Sequence, residues 1–190
     1  MNELWVIRHG ETVWSLSGAH TGRTDIPLTD AGRANAAAIG AYLAGRRFAL
    51  VLVSPLERAR ETCRLAGQER AAAIDPNLRE WDYGDYEGLT TAQIQLENPR
   101  WSLWTDGAPH GETIAQVAAR AEAAIARALA SEGDVAMFAH GHILRVLAAR
   151  WLGLPPEDGR LFALGTGSIG TLGYERQRRV ITRWNLSPSA

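Results

Sequence analysis

The sequence predicts an α/β domain of three layers (α/β/α), in which helices cover both faces of a mostly parallel central sheet. Three observations support this prediction. Short apolar runs recur along the chain, segments of helical periodicity separate them, and the first of these runs stops abruptly at polar residues. The length of 190 residues is that of one ordinary domain, so we expect a single domain over residues 1–190.

The first apolar run, Leu4 to Ile7, predicts a buried strand that carries Arg8 and His9 at its end. Thr29 is typical of a helix N-cap, and the Ala-rich periodicity of residues 31–43 predicts a helix behind it. The chain therefore begins with a strand, a connection and a helix.

A second apolar run, Leu50 to Val53, predicts the next strand. It leads into Ser54-Pro55-Leu56-Glu57, where Pro follows Ser and Glu lies three residues after it. This pattern is that of a capping box with Pro at the first helical position, so we predict a helix that starts here and carries Arg58.

The segment 75–111 differs in composition, because it is rich in aromatic residues, Gly and Pro. We expect one short helix in it, from Thr90 to Glu97, and we interpret the segment as a lid-like cover over a site. Exposed tryptophans there leave two interpretations open, a lid and a face for a homo-oligomer. Helical periodicity returns over residues 112–130.

A third apolar run, Val135 to Ala139, predicts a strand that ends at His140, and residues 141–151 predict the helix that follows. The last part of the chain alternates enough to predict two strands, over residues 167–172 and 180–184.

Every one of the 20 basic residues is arginine, because the sequence contains no lysine. Schiff-base enzymes, enzymes that use pyridoxal phosphate and P-loop NTPases depend on a lysine, so the composition excludes them. With 21 acidic residues the formal net charge is −1, which offers no general attraction for nucleic acid or an anionic membrane. We predict neither as a partner, and we expect any phosphate chemistry to use Arg, His or backbone amides.

Cys63 is the single cysteine, so no disulfide can form within the chain, which fits a reducing compartment. The apolar run before Arg8 is too short for a signal peptide, and no run approaches the ~20 apolar residues that span a membrane. We expect a soluble, cytoplasmic protein.

Residues suited to phosphate follow three of the predicted strands. Arg8 and His9 end the first, Arg58 lies about one turn beyond the second, and His140 ends the third. Ligands of open α/β sheets bind at the carboxyl ends of the strands, so these side chains are expected to converge. The residues alone therefore predict an anion site with two histidines.

Five motifs in this order resemble those of the histidine phosphatases, the superfamily that includes the phosphoglycerate mutases. They are Arg8-His9-Gly10-Glu11-Thr12, the stretch from Thr21 to Thr29, Ser54-Pro55-Leu56-x-Arg58-Ala59-x-x-Thr62, Leu78-x-Glu80-x-x-x-Gly84 and Ala139-His140-Gly141. The resemblance implies a phosphoglycerate mutase-like fold. It also implies a phosphomonoesterase that needs no metal and acts on a small phosphorylated metabolite.

The resemblance also implies a role for each motif residue. His9 is the expected nucleophile and forms a phosphohistidine, since a neutral imidazole is nucleophilic. Arg8 and Arg58 are expected to hold the phosphoryl oxygens, because a guanidinium fork matches phosphate geometry.

Three further roles follow from the same resemblance. His140 supplies a third positive or donor contact, the backbone amide of Gly141 a fourth, and Glu80 acts as the general acid. The residues alone do not distinguish Glu80 from three nearby acidic residues. These are Asp82, Asp85 and Glu87.

Longer stretches, over residues 14–22, 78–88 and 138–145, are most similar to the sugar-bisphosphatase branch typified by sedoheptulose-1,7-bisphosphatase. This similarity favours a sugar phosphate or bisphosphate as substrate. It implies a set of substrate-binding residues. They are Ser15, Thr21, Gly22, Tyr83, His142 and Arg145.

Alternatives exist for three of these residues. Ser15 stands where many members have Asn and reaches less far toward phosphate. Arg145 is expected either to hold a distal phosphate or to be a surface arginine, and His142 either to touch substrate or to face the pocket rim.

Two other activities remain open. Phosphoglycerate mutases carry a lysine and an arginine pair after the acid motif, whereas residues 101–107 contain neither, so we favour a phosphatase over a mutase. A non-catalytic phosphate-binding module is the remaining alternative.

A zinc site at His9, His140 and His142 lacks a carboxylate at a recognised spacing, so we predict no metal and no cofactor.

Overall fold

The computed structural model describes residues 3–188, which form six strands in one sheet with helices around it. The strands are β1 (Leu4–Arg8), β2 (Leu50–Val53), β3 (Ala72–Ile74), β4 (Val135–Ala139), β5 (Ile169–Glu175) and β6 (Arg178–Leu186). The α-helices are α1 (Val13–Ser17), α2 (Asp30–Leu43), α3 (Glu57–Leu65), α4 (Thr91–Glu97), α5 (Leu103–Asp106), α6 (Ile114–Leu129) and α7 (Gly141–Trp151). Short 3₁₀ helices cover Glu69–Ala71, Pro76–Leu78, Gly84–Tyr86 and Pro156–Leu161.

The strand order is β3-β2-β4-β1-β5-β6. β1 pairs in parallel with β4, and β2 pairs in parallel with both β4 and β3. β5 is antiparallel to β1 and to β6, so it alone among the described strands runs against the others. The prediction of a mostly parallel α/β sheet is confirmed.

Apolar residues cover both faces of the sheet, which explains why its strands appear as continuous apolar runs. Along β1, Leu4 and Val6 pack on one face with α6 and α7, whereas Trp5 and Ile7 pack on the other with α2 and α3. Full burial of such a side chain contributes about 1.5–3 kcal/mol. Cys63 lies within the α2–α3 face, and burial raises the pKa of its thiol to about 12.

The segment 75–111 packs on the face that α6 and α7 cover. Trp81, Trp101 and Trp104 are buried there, together with Tyr83, as part of the larger core cluster. These tryptophans therefore contribute to the core, and the expected face of exposed tryptophans on this segment is wrong.

The helix after β2 begins later than predicted. Its N-cap is Leu56, which makes no side-chain cap bond, and its first residue is Glu57. The predicted capping box at Ser54 is wrong, because the helix begins only at Glu57. The Ser54 hydroxyl accepts from the amide of Leu56 at 3.3 Å and contacts His140 at 2.7 Å.

Other elements follow the prediction or extend it. Thr29 caps α2 as expected, by accepting a hydrogen bond from the Gly32 amide at 3.0 Å. The sequence did not predict α1, α5 or the edge strand β3, and β5 and β6 are longer than expected. Among residues 3–188 no helix is both long enough and apolar enough to cross a membrane.

Candidate active site

The two histidines that end predicted strands lie side by side. β1 and β4 are neighbours, with Arg8 opposite Ala139, so His9 and His140 follow adjacent strands at one edge of the sheet. Their ring centroids are 5.2 Å apart. β2 lies on the other side of β4 and leads to α3, which carries Arg58.

His9 has one free ring nitrogen. Its Nδ1 lies 2.7 Å from the carbonyl oxygen of Gly10, and since a carbonyl can only accept, Nδ1 carries the proton. Burial lowers the pKa of His9 well below its usual value, and the charges of Arg8 and Arg58 lower it further. The neutral ring therefore has its lone pair on Nε2.

Arg58 is fully buried, and it organises the loop around Thr21. One of its terminal nitrogens donates to the carbonyls of Thr21 and Gly22 at 2.9 and 3.0 Å, and the other donates to Thr24 at 2.9 Å. Burial lowers its pKa, yet an arginine remains charged at neutral pH. Arg58 therefore brings a buried positive charge toward His9 and fixes the adjacent loop.

His140 is held from both sides. The Nε of Arg58 donates to its Nδ1 at 3.1 Å, so the proton of the ring is on Nε2, which lies 2.7 Å from Oγ of Ser54. Burial and the charge of Arg58 lower the pKa of His140 well below its usual value. The ring is neutral in this arrangement, and the expected positive or donor contact from His140 to phosphate stays a prediction.

Arg8 lies against the beginning of α7. One terminal nitrogen donates to the carbonyl of Leu164, while the buried Nε has no hydrogen-bond partner within the described chain. A Cβ on Gly141 would lie 3.2 Å from the guanidinium carbon of Arg8, so glycine permits this close approach. Arg8 thus keeps an unsatisfied donor beside the two histidines.

Glu80 is bound to the amino end of α7. Its Oε1 accepts hydrogen bonds from the amides of Trp81 and Ile143 at 3.0 and 2.9 Å, and its Oε2 accepts from His142 at 3.0 Å. Amides at a helix N-terminus favour an anionic group. The next amide toward the histidines is that of Gly141, the predicted phosphate contact.

An ion pair from α6 holds the segment that carries Glu80. Arg120 binds both carboxylate oxygens of Glu112 at 2.8 and 2.7 Å and donates to the carbonyls of Asn77 and Arg79, each at 2.8 Å. Glu112 in turn accepts from the amide of Asp82 at 3.0 Å. Residues before and after Glu80 are therefore fixed to one pair of side chains.

A pocket of about 260 Å³ lies beside these groups, and Arg8, His9 and Glu80 line it, whereas Arg58 and His140 are not among its lining residues. The other lining residues come from the segments near α1 and α4 and from the start of α7. They are Ser15, Gly18, Ala19, His20, Thr21, Tyr83, Thr91 and His142.

Larger pockets also lie elsewhere on the described chain. One of about 520 Å³ lies beside α3 and β3 and contains none of the predicted catalytic residues, so we do not place the site there. Another, of about 320 Å³, lies on the side of Glu80 that Arg23 and Asp82 line, and their side chains form an ion pair at 2.7 Å.

Tyr83 and His142 form one wall of the 260 Å³ pocket. The hydroxyl of Tyr83 is 2.7 Å from Nδ1 of His142, and the ring of His20 lies 4.8 Å from that of Tyr83. Burial raises the pKa of Tyr83 well above its usual value and lowers that of His142 well below, so both are neutral. His142 thus lines the pocket, and its contact with substrate stays a prediction.

Three of the predicted substrate-binding residues have other partners. The hydroxyl of Ser15 donates to the carbonyl of Thr12, the amide of Gly22 donates to both carboxylate oxygens of Glu87, and the hydroxyl of Thr21 donates to Ala19. Ser15 and Thr21 still line the pocket. The Ser15 oxygen accepts from the amide of Thr12 in the cap of α1, and a contact between Ser15 and phosphate stays a prediction.

Arg145 lies outside the pocket lining. Its guanidinium stacks on Trp104 at 4.6 Å and donates to the carbonyls of Gly159 and Arg160, each at 3.1 Å. Both interpretations from the sequence miss this role, which is to attach the 156–161 turn to α7.

Sequence reasoning missed several residues that shape the site. They are His20, Ser54, Glu87, Glu112 and Arg120. His20 occupies an unassigned position just before Thr21, and its place next to that motif is the signal that could have found it. The other four act by binding backbone groups or a second side chain, and the amino-acid sequence does not indicate such contacts.

The arrangement combines a neutral histidine, buried guanidinium groups and a carboxylate at a helix N-terminus around one small pocket. Such a site is built to hold a phosphoryl group and to transfer it. Within residues 3–188, no cluster of three or more His, Cys, Asp or Glu side chains has a metal-binding arrangement. The fold and the site thus define an α/β enzyme of phosphoryl transfer.

The family model that describes the histidine phosphatase superfamily (branch 1) matches residues 4–187, so the chain belongs to that superfamily and is a phosphatase. It is 45% identical over 178 residues to an acid phosphatase of Mycobacterium tuberculosis, covering 92% of this chain and 87% of the relative. It is 39% identical over 181 residues to sedoheptulose 1,7-bisphosphatase of Saccharomyces cerevisiae, covering 78% and 67%.

A solved structure of an open reading frame product from Mycobacterium tuberculosis matches with a TM-score of 0.93 and 42% identity, over 99% of both chains. The expected phosphoglycerate mutase-like fold is confirmed.

Proposed function

We propose that this phosphatase is a metal-independent phosphomonoesterase that hydrolyses small phosphorylated sugars through a phosphohistidine on His9. One observation carries the proposal. The Nδ1 proton of His9 is held by the Gly10 carbonyl, and burial keeps the ring neutral, so Nε2 has a lone pair ready to attack phosphorus.

In the first step Nε2 of His9 forms a bond to phosphorus while the bond from phosphorus to the ester oxygen breaks. Glu80, which must be in its protonated form when the substrate reacts, gives this proton to the departing alkoxide, a role worth roughly 10²–10⁴ in rate. The guanidinium groups of Arg8 and Arg58 stabilise the charge on the phosphoryl oxygens. In the second step Glu80 takes a proton from water, whose oxygen attacks phosphorus, and inorganic phosphate leaves His9.

Two findings support a sugar phosphate as substrate. The relative from Saccharomyces cerevisiae carries the name of a sugar bisphosphatase. The pocket beside His9 is also small, about 260 Å³, against the roughly 300–1,000 Å³ of pockets for drug-sized ligands.

The test is a rapid-quench experiment with ³²P-labelled sugar phosphate. We expect an acid-labile, base-stable phosphoryl label on the wild-type protein and none on His9→Ala, and unchanged turnover after treatment with EDTA. Label on His9→Ala, or loss of activity with EDTA and its return on adding a metal, would refute the proposal. Conversion of 3- to 2-phosphoglycerate with little free phosphate would instead favour a mutase.

A further inference from the structure

The 260 Å³ pocket, which His9 and Glu80 both line, carries little charge. Among the described residues that line it, Arg8 and Glu80 are the charged ones, and both lie at its phosphoryl end with His9. Burial lowers the pKa of His20 and of His142, so these rings are neutral at physiological pH. A group bound beyond the transferring phosphoryl therefore meets no positive side chain of the lining.

The hydroxyl groups of the lining offer acceptors. Ser15 donates its proton to the carbonyl of Thr12 at 2.8 Å and accepts from the amide of Thr12 at 2.9 Å, so one lone pair remains on its oxygen. Thr21 donates its proton to the carbonyl of Ala19 at 3.1 Å. A hydroxyl oxygen whose proton is committed can only accept further hydrogen bonds. These oxygens suit the O–H groups of a polyol, whereas the oxygens of a phosphate dianion are acceptors themselves.

Aromatic rings supply the rest of the wall. The ring centroid of His20 is 4.8 Å from that of Tyr83 and 6.2 Å from that of His142. Behind His20 lies the ring of Trp101, at 5.6 Å. Such rings present apolar faces to which the C–H faces of a sugar ring can pack.

Arginines next to this lining are engaged by the protein itself. Arg58 donates to the carbonyls of Thr21, Gly22 and Thr24, and its Nε donates to His140. Arg145 donates to two carbonyls of the 156–161 turn. Binding a second phosphate through either arginine would break hydrogen bonds that organise the site.

We propose that the leaving group is an uncharged polyol, so that the enzyme prefers sugar monophosphates to sugar bisphosphates. This inference rests on the proposed function and narrows its substrate class. It argues against one of the two interpretations of Arg145 from the sequence, that this residue holds a distal phosphate.

The test compares kcat/KM for matched pairs, fructose 6-phosphate with fructose 1,6-bisphosphate and sedoheptulose 7-phosphate with sedoheptulose 1,7-bisphosphate. p-Nitrophenyl phosphate, whose leaving group is compact, reports the chemistry independently, with His9→Ala as the background. We expect each monophosphate to exceed its bisphosphate at least tenfold. Equal or higher kcat/KM for the bisphosphates overturns this inference alone, whereas no hydrolysis of any compound above the background overturns the proposed function as well.

A charge-addition variant tests the cause of the preference. Thr91 lines the pocket at the exposed start of α4, so Thr91→Arg adds a cation there, and Ala92→Arg adds the same charge at the next, non-lining position. We expect Thr91→Arg to raise the bisphosphate-to-monophosphate ratio of kcat/KM at least fivefold and Ala92→Arg to leave it unchanged. A ratio that is the same in Thr91→Arg and in wild type contradicts the inference.

Discussion

Oγ of Ser54 accepts a hydrogen bond from Nε2 of His140 across 2.7 Å, and both residues are completely buried. Because Arg58 donates to the opposite ring nitrogen, the serine is the acceptor that completes the neutral tautomer. This relationship links the residue after β2 to the residue after β4 and fixes the ring next to His9.

We expect Ser54→Ala to destabilise the protein by about 1–3 kcal/mol, because it leaves a buried N–H of His140 without an acceptor. Turnover should fall as well, since the ring is no longer held. Ser54→Thr keeps the hydroxyl and should therefore retain most of the stability and most of the turnover of the wild-type protein. Urea denaturation and kcat for the three proteins check this, and a Ser54→Ala protein with wild-type stability and turnover contradicts it.

Arg120 should matter for turnover although it lies behind Glu80. Arg120→Ala removes the hydrogen bonds to Asn77 and Arg79 and leaves Glu112 unpaired. Displacing a catalytic group by about 1 Å can cost roughly 100-fold in rate, so we expect a kcat loss of that order with a small change in KM. Arg120→Lys should recover only part of the lost kcat, because an ammonium group cannot bind Glu112 through two nitrogens.

The control for Arg120 is Arg127→Ala on the same helix. Arg127 pairs with the buried carboxylate of Asp75 at 3.1 Å, so its loss should lower stability while kcat stays near the wild-type value. Equal kcat in the two alanine variants would show that Arg120 does not position Glu80.

Acid should destabilise the protein from about pH 6.5 downward. Burial lowers the pKa of His9, His140 and His142 well below the usual histidine value of 6.5, so the unfolded chain binds more protons than the folded one in that range. Stability rises with pH wherever the unfolded state binds more protons. The contribution of these neutral rings to the free energy of unfolding is therefore full above pH 6.5. It decreases below pH 6.5, by at most about 1.4 kcal/mol per pH unit for each histidine.

Urea denaturation at intervals between pH 5 and 8 measures this slope. We expect the free energy of unfolding to fall below pH 6.5 with a slope of at most about 1.4 kcal/mol per pH unit for each neutral histidine, and His142→Asn should reduce this slope. A free energy of unfolding that is constant between pH 6.5 and 5.5 would contradict the burial of neutral rings.

Gly141→Ala separates stability from activity. Alanine is a better helix former than glycine, so the start of α7 should not lose stability. The new Cβ, however, would lie 3.2 Å from the guanidinium carbon of Arg8 and would push this group away from the phosphoryl position. We expect a lower kcat/KM and weaker inhibition by vanadate with an unchanged melting temperature, and an unaltered vanadate affinity would show that Arg8 does not need this approach.

The sequence predicts where the strands that lead to the site end, because β1, β2 and β4 are buried on both faces and therefore appear as uninterrupted apolar runs. The convergence of His9 and His140 then follows from the parallel sheet. The assignment of Ser54 as a helix N-cap is wrong because a serine hydroxyl can either cap a helix or bind a side chain, and the amino-acid sequence does not distinguish these two roles. The partner of that hydroxyl, His140, lies 86 residues away.

Glu80 could not be derived in the same way. It follows a 3₁₀ helix in a segment without regular periodicity, and its partners at positions 142 and 143 are backbone amides, which every residue type but proline provides. Only the resemblance to a family distinguished it from its acidic neighbours. His20 was missed for a related reason, since its position in the pocket depends on how the loop before Thr21 folds against Tyr83.

The pairing of β1 with β4 determines the distance between the rings of His9 and His140. The 5.2 Å between the rings of His9 and His140 is close to the spacing of about 4.8 Å between neighbouring strands. Residues 12–24 and 81–112, which supply most of the lining of the 260 Å³ pocket, lie outside the sheet. An engineer could therefore exchange these segments to change the substrate while the distance between the two histidines stays the same.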